Sequence, residues 1–215
     1  MAVLVPSILE TSKQGFLDIY HKEIKLSGVS RIQVDFGDGI FVPNSILPIT
    51  EIDLLDQNIH FEAHLMVKEP MDFLDYKISG FSTIIIHYEA YKNEQDLQNA
   101  IATIKDMGLT PALCIKNETP VSVVEKFAGS VKHFQLMSVN PGFQGTAFFE
   151  NTYERIIELR KLVKDAIIEV DGGVNLENVK KISEAGADLV ILGAVITKVP
   201  NMQEAWEKLN FEIKK

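Results

Sequence analysis

Eight short runs rich in apolar residues recur along this chain, and most are closed or followed at once by a polar residue or a glycine. They are Val3–Pro6, Arg31–Asp35, His60–Met66, Thr83–His87, Thr110–Ile115, His133–Val139, Ile167–Asp171 and Leu189–Gly193. Between most of them lie stretches of helical periodicity. In Glu94–Met107, Leu97, Ala100, Ile101 and Ile104 make one face, with Glu94, Asp96, Lys105 and Asp106 opposite. Tyr153–Val163 repeats the pattern with Ile156, Ile157, Leu159 and Leu162 inward, and Met202–Leu209 reads as a last helix. Short apolar runs alternating with amphipathic helices signify a parallel sheet covered on its outer face. Eight such units within 215 residues leave a closed barrel or an open, doubly wound sheet.

Polar residues separate the two. An open sheet concentrates its chemistry at one switch point, usually with a glycine-rich turn after the first strand. Here Ser7-Ile8-Leu9-Glu10 follows the first run, without such a turn. A barrel draws functional groups from the C-terminal ends of several strands. Ser7, Asp35, His64, His87, Met137–Asn140, Asp171 and Gly193 all stand at such ends. The reading is therefore an α/β chain forming a (β/α)8 TIM barrel. No Pro/Gly/Ser-rich linker or composition shift divides it, so residues 1–215 are read as a single domain.

The net charge of −9 argues against nucleic-acid and anionic-membrane partners, which favour a basic face, but not against a small phosphorylated ligand held by backbone N–H groups. Cys114, the one cysteine, lies in an apolar run and reads as an inert buried thiol. There is no membrane-length apolar stretch, and MAVLVPSILE lacks the basic start and long apolar run of a secretory signal, so the expected location is the cytoplasm.

Asp35 ends the second run and Asp171 the seventh. In an eight-strand ring these strands lie opposite each other, so the two carboxylates could face one another across the mouth. Two such groups on either face of a flat carbon centre suit epimerisation, one taking a proton and the other returning one. Each could instead merely cap the loop that follows it. His64 is a structural histidine or, beside two carboxylates, a metal ligand. A cation there would stabilise an enediolate. His87 is either structural or helps orient a substrate, whereas His21, His60 and His133 lie away from strand C-termini. Glycine-bearing segments follow the last three runs: Gly142-Phe143-Gln144-Gly145, Asp171-Gly172-Gly173, and Gly193-Ala194. Together they favour a phosphorylated ligand, because glycine lets the backbone come close to phosphate oxygens.

VPSIL, VDFGDGIFVPN, HLMV, IIIHYEA, LMSVNPGFQG, EVDGGV and ADLVILGA occur in that order along essentially the whole chain. In these motifs the sequence resembles the ribulose-phosphate 3-epimerase family, isomerases of the pentose phosphate pathway that interconvert ribulose 5-phosphate and xylulose 5-phosphate. The resemblance implies that Asp35 and Asp171 are the acid/base pair. With His64 they would also hold one divalent ion of the zinc, iron, manganese or cobalt class. It implies that Ser7 contacts substrate, along with His64 and His87, and that Met66 and Met137 are dry walls above the enediolate. Phosphate would sit on the backbone of Gly142, Phe143, Gln144, Gly145, Gly172, Gly173, Gly193 and Ala194. The implied partners are a small phosphosugar and further copies of the chain in a homo-oligomer.

The departures fall near the chemistry. Gln33 stands where the family has a metal-ligating histidine, and an amide oxygen is a poorer ligand than imidazole for zinc or iron(II). Gln33 thus leaves three outcomes: a weakly held metal, a harder cation such as manganese or magnesium, or no metal. Gly37 replaces a usual methionine and Ile40 a usual histidine, which points to a more open mouth or a differently shaped sugar. Ala194 replaces a serine often seen after the last strand. Two alternatives follow: an epimerase for another ketose phosphate such as allulose 6-phosphate, or a catalytically impaired phosphosugar-binding homologue. A Schiff-base aldolase is disfavoured, because no lysine stands beside Asp35 or suitably at a strand end.

Overall fold

The computed structural model describes residues 1–52, 55–74, 80–143 and 145–215. The eight runs become strands β1 Val3–Ile8, β2 Arg31–Gly37, β3 His60–Met66, β4 Phe81–His87, β5 Thr110–Ile115, β6 His133–Met137, β7 Ile167–Asp171 and β8 Leu189–Leu192. Each pairs in parallel with the next, and β8 returns to β1, so the sheet closes into a barrel. Closure leaves no unpaired edge, and it lets strands far apart in sequence point side chains at a common centre.

Around the barrel lie α1 (Lys13–Glu23), α2 (Pro70–Leu74), α3 (Glu94–Asp106), α4 (Thr152–Leu162), α5 (Val179–Ala185), α6 (Ala194–Thr197) and α7 (Met202–Glu212). A 3-10 segment, Val121–Phe127, takes a helix's place after β5. The helix ends follow local chemistry. The side chains of Ser12, Asn93 and Asn201 accept the N–H of Gly15, Asp96 and Glu204 at the starts of α1, α3 and α7. Gly186, at φ +116°, closes α5 in the left-handed region.

The strands carry two different faces. Ile32, Val34 and Phe36 of β2, Phe61, Ala63 and Leu65 of β3, Phe134 and Leu136 of β6, and Ile168 and Val170 of β7 share one core with helix residues such as Phe16, Ile101, Ile156 and Trp206. The alternate residues of the same strands are buried polar groups: Gln33, Asp35, Glu62, His64, His133, Gln135 and Glu169. These strands therefore alternate with period two, rather than running continuously apolar as the sequence reading took them. The barrel interior is polar on β2, β3, β6 and β7, and apolar where Val5, Leu189 and Ile191 meet, and again where Ile85, Ala112 and Cys114 meet.

Register sets the layers. Gln33 pairs with Glu62 and Asp35 with His64, while Gln135 pairs with Glu169 and Met137 with Asp171. Two C-terminal boundaries move outward from the sequence reading. β1 runs on to Ile8 because Ser7 and Ile8 pair with Gln33 and Val34, which places Ser7 within the strand. β2 runs on to Gly37, paired with Met66.

Candidate active site

At the C-terminal end of the barrel lies a cavity of about 350 Å³. Ser7, Asp35, Met66, Met137 and Asp171 line it from five strands, and Gly142, Phe143, Gly145, Gly172, Gly173, Gly193 and Ala194 line it from the loops after β6, β7 and β8. Most of the expected site residues are thus gathered around one space. His64 and His87 are fully buried behind that wall and do not line it. Gln144 lies outside the described residues. Val139 and Asn175 also line the cavity, as do Leu9, Thr146, Ile191 and Val195, to which the sequence assigned no role.

Glycine is required at two points of the rim. Gly172 has φ +115°, and a Cβ there would stand 2.2 Å from Val139 Cγ2. Gly173 has φ +64°, and its Cβ would press on the backbone of Phe148 at 2.9 Å. The loop after β2 leans on the same rim: Asn44 donates its side-chain N–H to the Gly142 carbonyl at 2.8 Å. Gly37 does not open the mouth as expected. A Cβ there would meet Val42 and Ile46 at 2.9 Å, and both side chains pack with Met66, so neighbouring apolar groups already fill the space. Ile40 is exposed and is not part of the cavity wall.

Beneath the cavity, Asp35, His64 and Asp171 converge as the alternation of β2, β3 and β7 dictates. His64 Nδ1 lies 2.9 Å from Asp35 Oδ1 and 3.3 Å from Asp171 Oδ2. Gln33 reaches the same point: its Nε2 donates to Asp35 Oδ1 at 2.8 Å and to Asp171 Oδ2 at 2.9 Å. Its Oε1 accepts from Gln135 Nε2 at 2.7 Å. Gln135 was missed in the sequence, although its position two residues before Met137 marks it as inward-facing.

The electrostatics follow from burial. Desolvation raises the Asp35 carboxyl above the usual range against the pull of His64, and the Asp171 charge adds to the rise. Burial opposes charge on His64 too, but hydrogen bonds to Asp171 and Asp35 outweigh it and lift the imidazole well above its ordinary value. Behind it, His87 is driven down to about 4 by burial, and its Nε2 lies 2.9 Å from His64 Nε2. One assignment satisfies both directions: His64 donates through Nε2 to a neutral His87, whose Nδ1 lies 3.5 Å from Glu89 Oε2. The Cys114 thiol is pushed up to about 12 by burial, in keeping with an inert core cysteine.

Asp35, His64 and Asp171 form a group that could hold a metal ion, with ligand atoms within 4.8 Å of one another. A divalent ion binds through lone pairs, and even a site that leaves one position open to water has no place for an N–H donor aimed at its ligand oxygens. Here the remaining direction is an N–H donor, because Gln33 turns nitrogen toward the carboxylates and gives its oxygen to Gln135. As they stand, these residues do not fit a resident divalent ion.

The solved structures similar in fold share little sequence. A 3-hexulose-6-phosphate synthase from Salmonella typhimurium has a TM-score of 0.72 at 15% identity, covering 98% of both chains. An orotidine 5'-phosphate decarboxylase from Pyrococcus horikoshii has 0.67 at 16%, covering 99% of this chain and 100% of that one. At such identities the likeness concerns the barrel alone. Sequence comparison goes further. Ribulose-phosphate 3-epimerase of Bacillus subtilis is 31% identical over 91% of this chain and 92% of its own. That of Escherichia coli K12 is 31% identical over 99% and 96%. The model of the ribulose-phosphate 3 epimerase family matches residues 3–197. With the aspartate pair and the glycine-rimmed cavity in place, this chain belongs to the ribulose-phosphate 3-epimerase family.

Proposed function

We propose that this chain is a working ketose-phosphate 3-epimerase that interconverts ribulose 5-phosphate and xylulose 5-phosphate. One observation carries the reading: Asp35 and Asp171 both line the cavity and are tied to one amide nitrogen at its base. The substrate's carbon framework would lie between them. One carboxylate takes the proton from C3, and the C–H electrons become the C2–C3 double bond of an enediolate. The other carboxyl then gives a proton to the opposite face of C3. Asp35, whose carboxyl burial raises, is the one that carries the proton to be given in one direction, and the roles exchange in the reverse. His64 acts through Asp35 and Asp171, holding both carboxyls in orientation. Ser7 is a hydroxyl on the wall, placed to donate to a substrate oxygen, and Met66 and Met137 exclude water from the developing charge. The glycine backbone of the last three loops would receive the phosphate. Because Gln33 aims its N–H groups at both aspartates, the residues as they stand do not fit the family's divalent ion, and no step here runs through it.

Among the described residues no helix is long and apolar enough to cross a membrane. The location proposed for the chain is the cytoplasm.

The test is incubation with ribulose 5-phosphate in D₂O. Xylulose 5-phosphate carrying deuterium at C3 is the expected product. Its absence with and without added Mn²⁺, Zn²⁺ or Fe²⁺, alongside thermal stabilisation by the sugar phosphate, would replace the enzyme with a phosphosugar-binding homologue.

A further inference from the structure

We propose that Gln33, gripped by Gln135, is a positioning residue that bridges Asp35 and Asp171 through its amide N–H groups and takes the place of a divalent ion. The inference deepens the epimerase reading and rests on it for its catalytic meaning. Its structural content stands on the cluster alone.

The Gln33 amide is fully used at the bridge. A primary amide has two N–H bonds, and the two acceptors at hand are one oxygen from each aspartate, at 2.8 and 2.9 Å. The amide oxygen is used as well, by the Gln135 side-chain N–H at 2.7 Å. Gln33 and Gln135 are both fully buried, so no bulk water screens or replaces these bonds.

The chemistry also fixes which way the amide points. Turning Gln33 alone would set Oε1 against two carboxylate oxygens and Nε2 against the Gln135 nitrogen, opposing like to like at both ends. Turning both side chains would restore the bond between the two amides but would still set the Gln33 oxygen against both carboxylates. An ion would have to force that double turn before it could gain Gln33 as a ligand.

The bridge can do part of what a metal does. Two carboxylates converging on one point repel, and a shared pair of N–H donors holds them together at fixed separation. His64 Nδ1 adds a further contact at 2.9 Å to Asp35. The amide carries no full charge, so it positions the pair and does not polarise substrate as a cation would.

The experiment compares the natural chain with Gln33→His and Gln33→Leu, each made in metal-supplemented medium, for ion content, melting temperature and kinetics. The natural chain should retain well under about half an ion per chain, with a melting temperature unmoved by EDTA or by added Zn²⁺ or Mn²⁺. Gln33→His should gain about one ion per chain and a melting temperature that falls on chelation. Gln33→Leu, which cannot donate, should lose kcat by about tenfold or more with little change in KM, because the bridge orients the aspartates and does not bind the sugar. Half an ion or more per natural chain, with chelation lowering its melting temperature, would overturn the proposal, as would a Gln33→Leu kcat close to that of the natural chain. Ion counts and melting curves need no substrate. A chain without turnover in D₂O would therefore sink the epimerase reading while the ion content still judged the bridge.

Discussion

The barrel holds two clusters built from the same parts, one at its mouth and one at its floor. At the mouth are Asp35, His64 and Asp171; at the floor are Glu62, His133 and Glu169, and each trio places its ligand atoms within 4.8 Å. At the mouth the carboxylates reach the cavity and share an amide donor, and the histidine between them is raised. At the floor both carboxyls are fully buried and away from the cavity. Burial, reinforced by neighbouring carboxylate charge, pushes Glu62 and Glu169 up to about 8, and burial drives His133 down to about 4. His133 Nε2 lies 2.6 Å from Glu169 Oε2, and Arg31 pairs with Glu62. The floor is thus a set of largely neutral acids and a neutral base tied to one another. Residue type does not distinguish the two. Access to a cavity and the partner supplied by the neighbouring strand do.

Four experiments press on that contrast. The largest effect belongs to the mouth: Asp35→Asn and Asp171→Asn should each cut turnover by roughly 10²–10⁴ while leaving the fold intact. A collapse in melting temperature would mean that these carboxylates are structural, like those below. Gly172→Ala should follow, raising KM for the sugar phosphate about tenfold or more. The new Cβ would strike Val139, and the φ of +115° disfavours any side chain.

The floor should speak through pH. For Glu62 and Glu169 the folded value of about 8 lies above the unfolded 4.5, so the stability they lend is whole below about pH 4.5 and is lost as pH rises toward 8. His133 works in the other direction. Its folded value of about 4 lies below 6.5, so its contribution is present above 6.5 and lost as pH falls. Between about pH 6.5 and 8 only the rising-pH loss remains, and the melting temperature should drop by several degrees. The double change Glu62→Gln with Glu169→Gln should flatten that slope with turnover nearly unchanged. An unaltered slope would show that the floor does not titrate as described.

The smallest effect concerns Glu23 of α1, a buried carboxyl with no hydrogen-bond partner for either oxygen among the described residues and a pKa raised chiefly by burial. Here burial acts with neither bridge nor ion pair. Because the folded value lies above the unfolded one, Glu23 costs stability at neutral pH, and Glu23→Met should stabilise the chain by about 1–3 kcal/mol in thermal denaturation.

How much of this could be read beforehand differs by residue. Eight runs at regular spacing, with polar groups at their ends, were enough for the barrel, because helix and strand periodicities are local. Asp35 and Asp171 stood out because each ends an apolar run and the motifs around them are specific. Gln135 and the floor cluster were not visible, although the alternation His133-Phe134-Gln135-Leu136-Met137 lay in plain view. The sequence assigns such residues to alternate faces but does not say which face is the inside of a closed ring. Gly37 was misjudged for a related reason: a lost side chain looks like space, and only packing shows Val42 and Ile46 filling it.

By itself, then, the sequence determined the strand count, the family, the places of Asp35 and Asp171 near strand C-termini and the glycines of the rim. Each of these depends on residue identity and on spacing along the chain. The tertiary structure alone decided that Gln33 presents nitrogen and not oxygen to the aspartates. That choice belongs to Gln135, 102 residues away. Which end of an amide faces a carboxylate depends on what grips its other end, and ring closure supplies that partner.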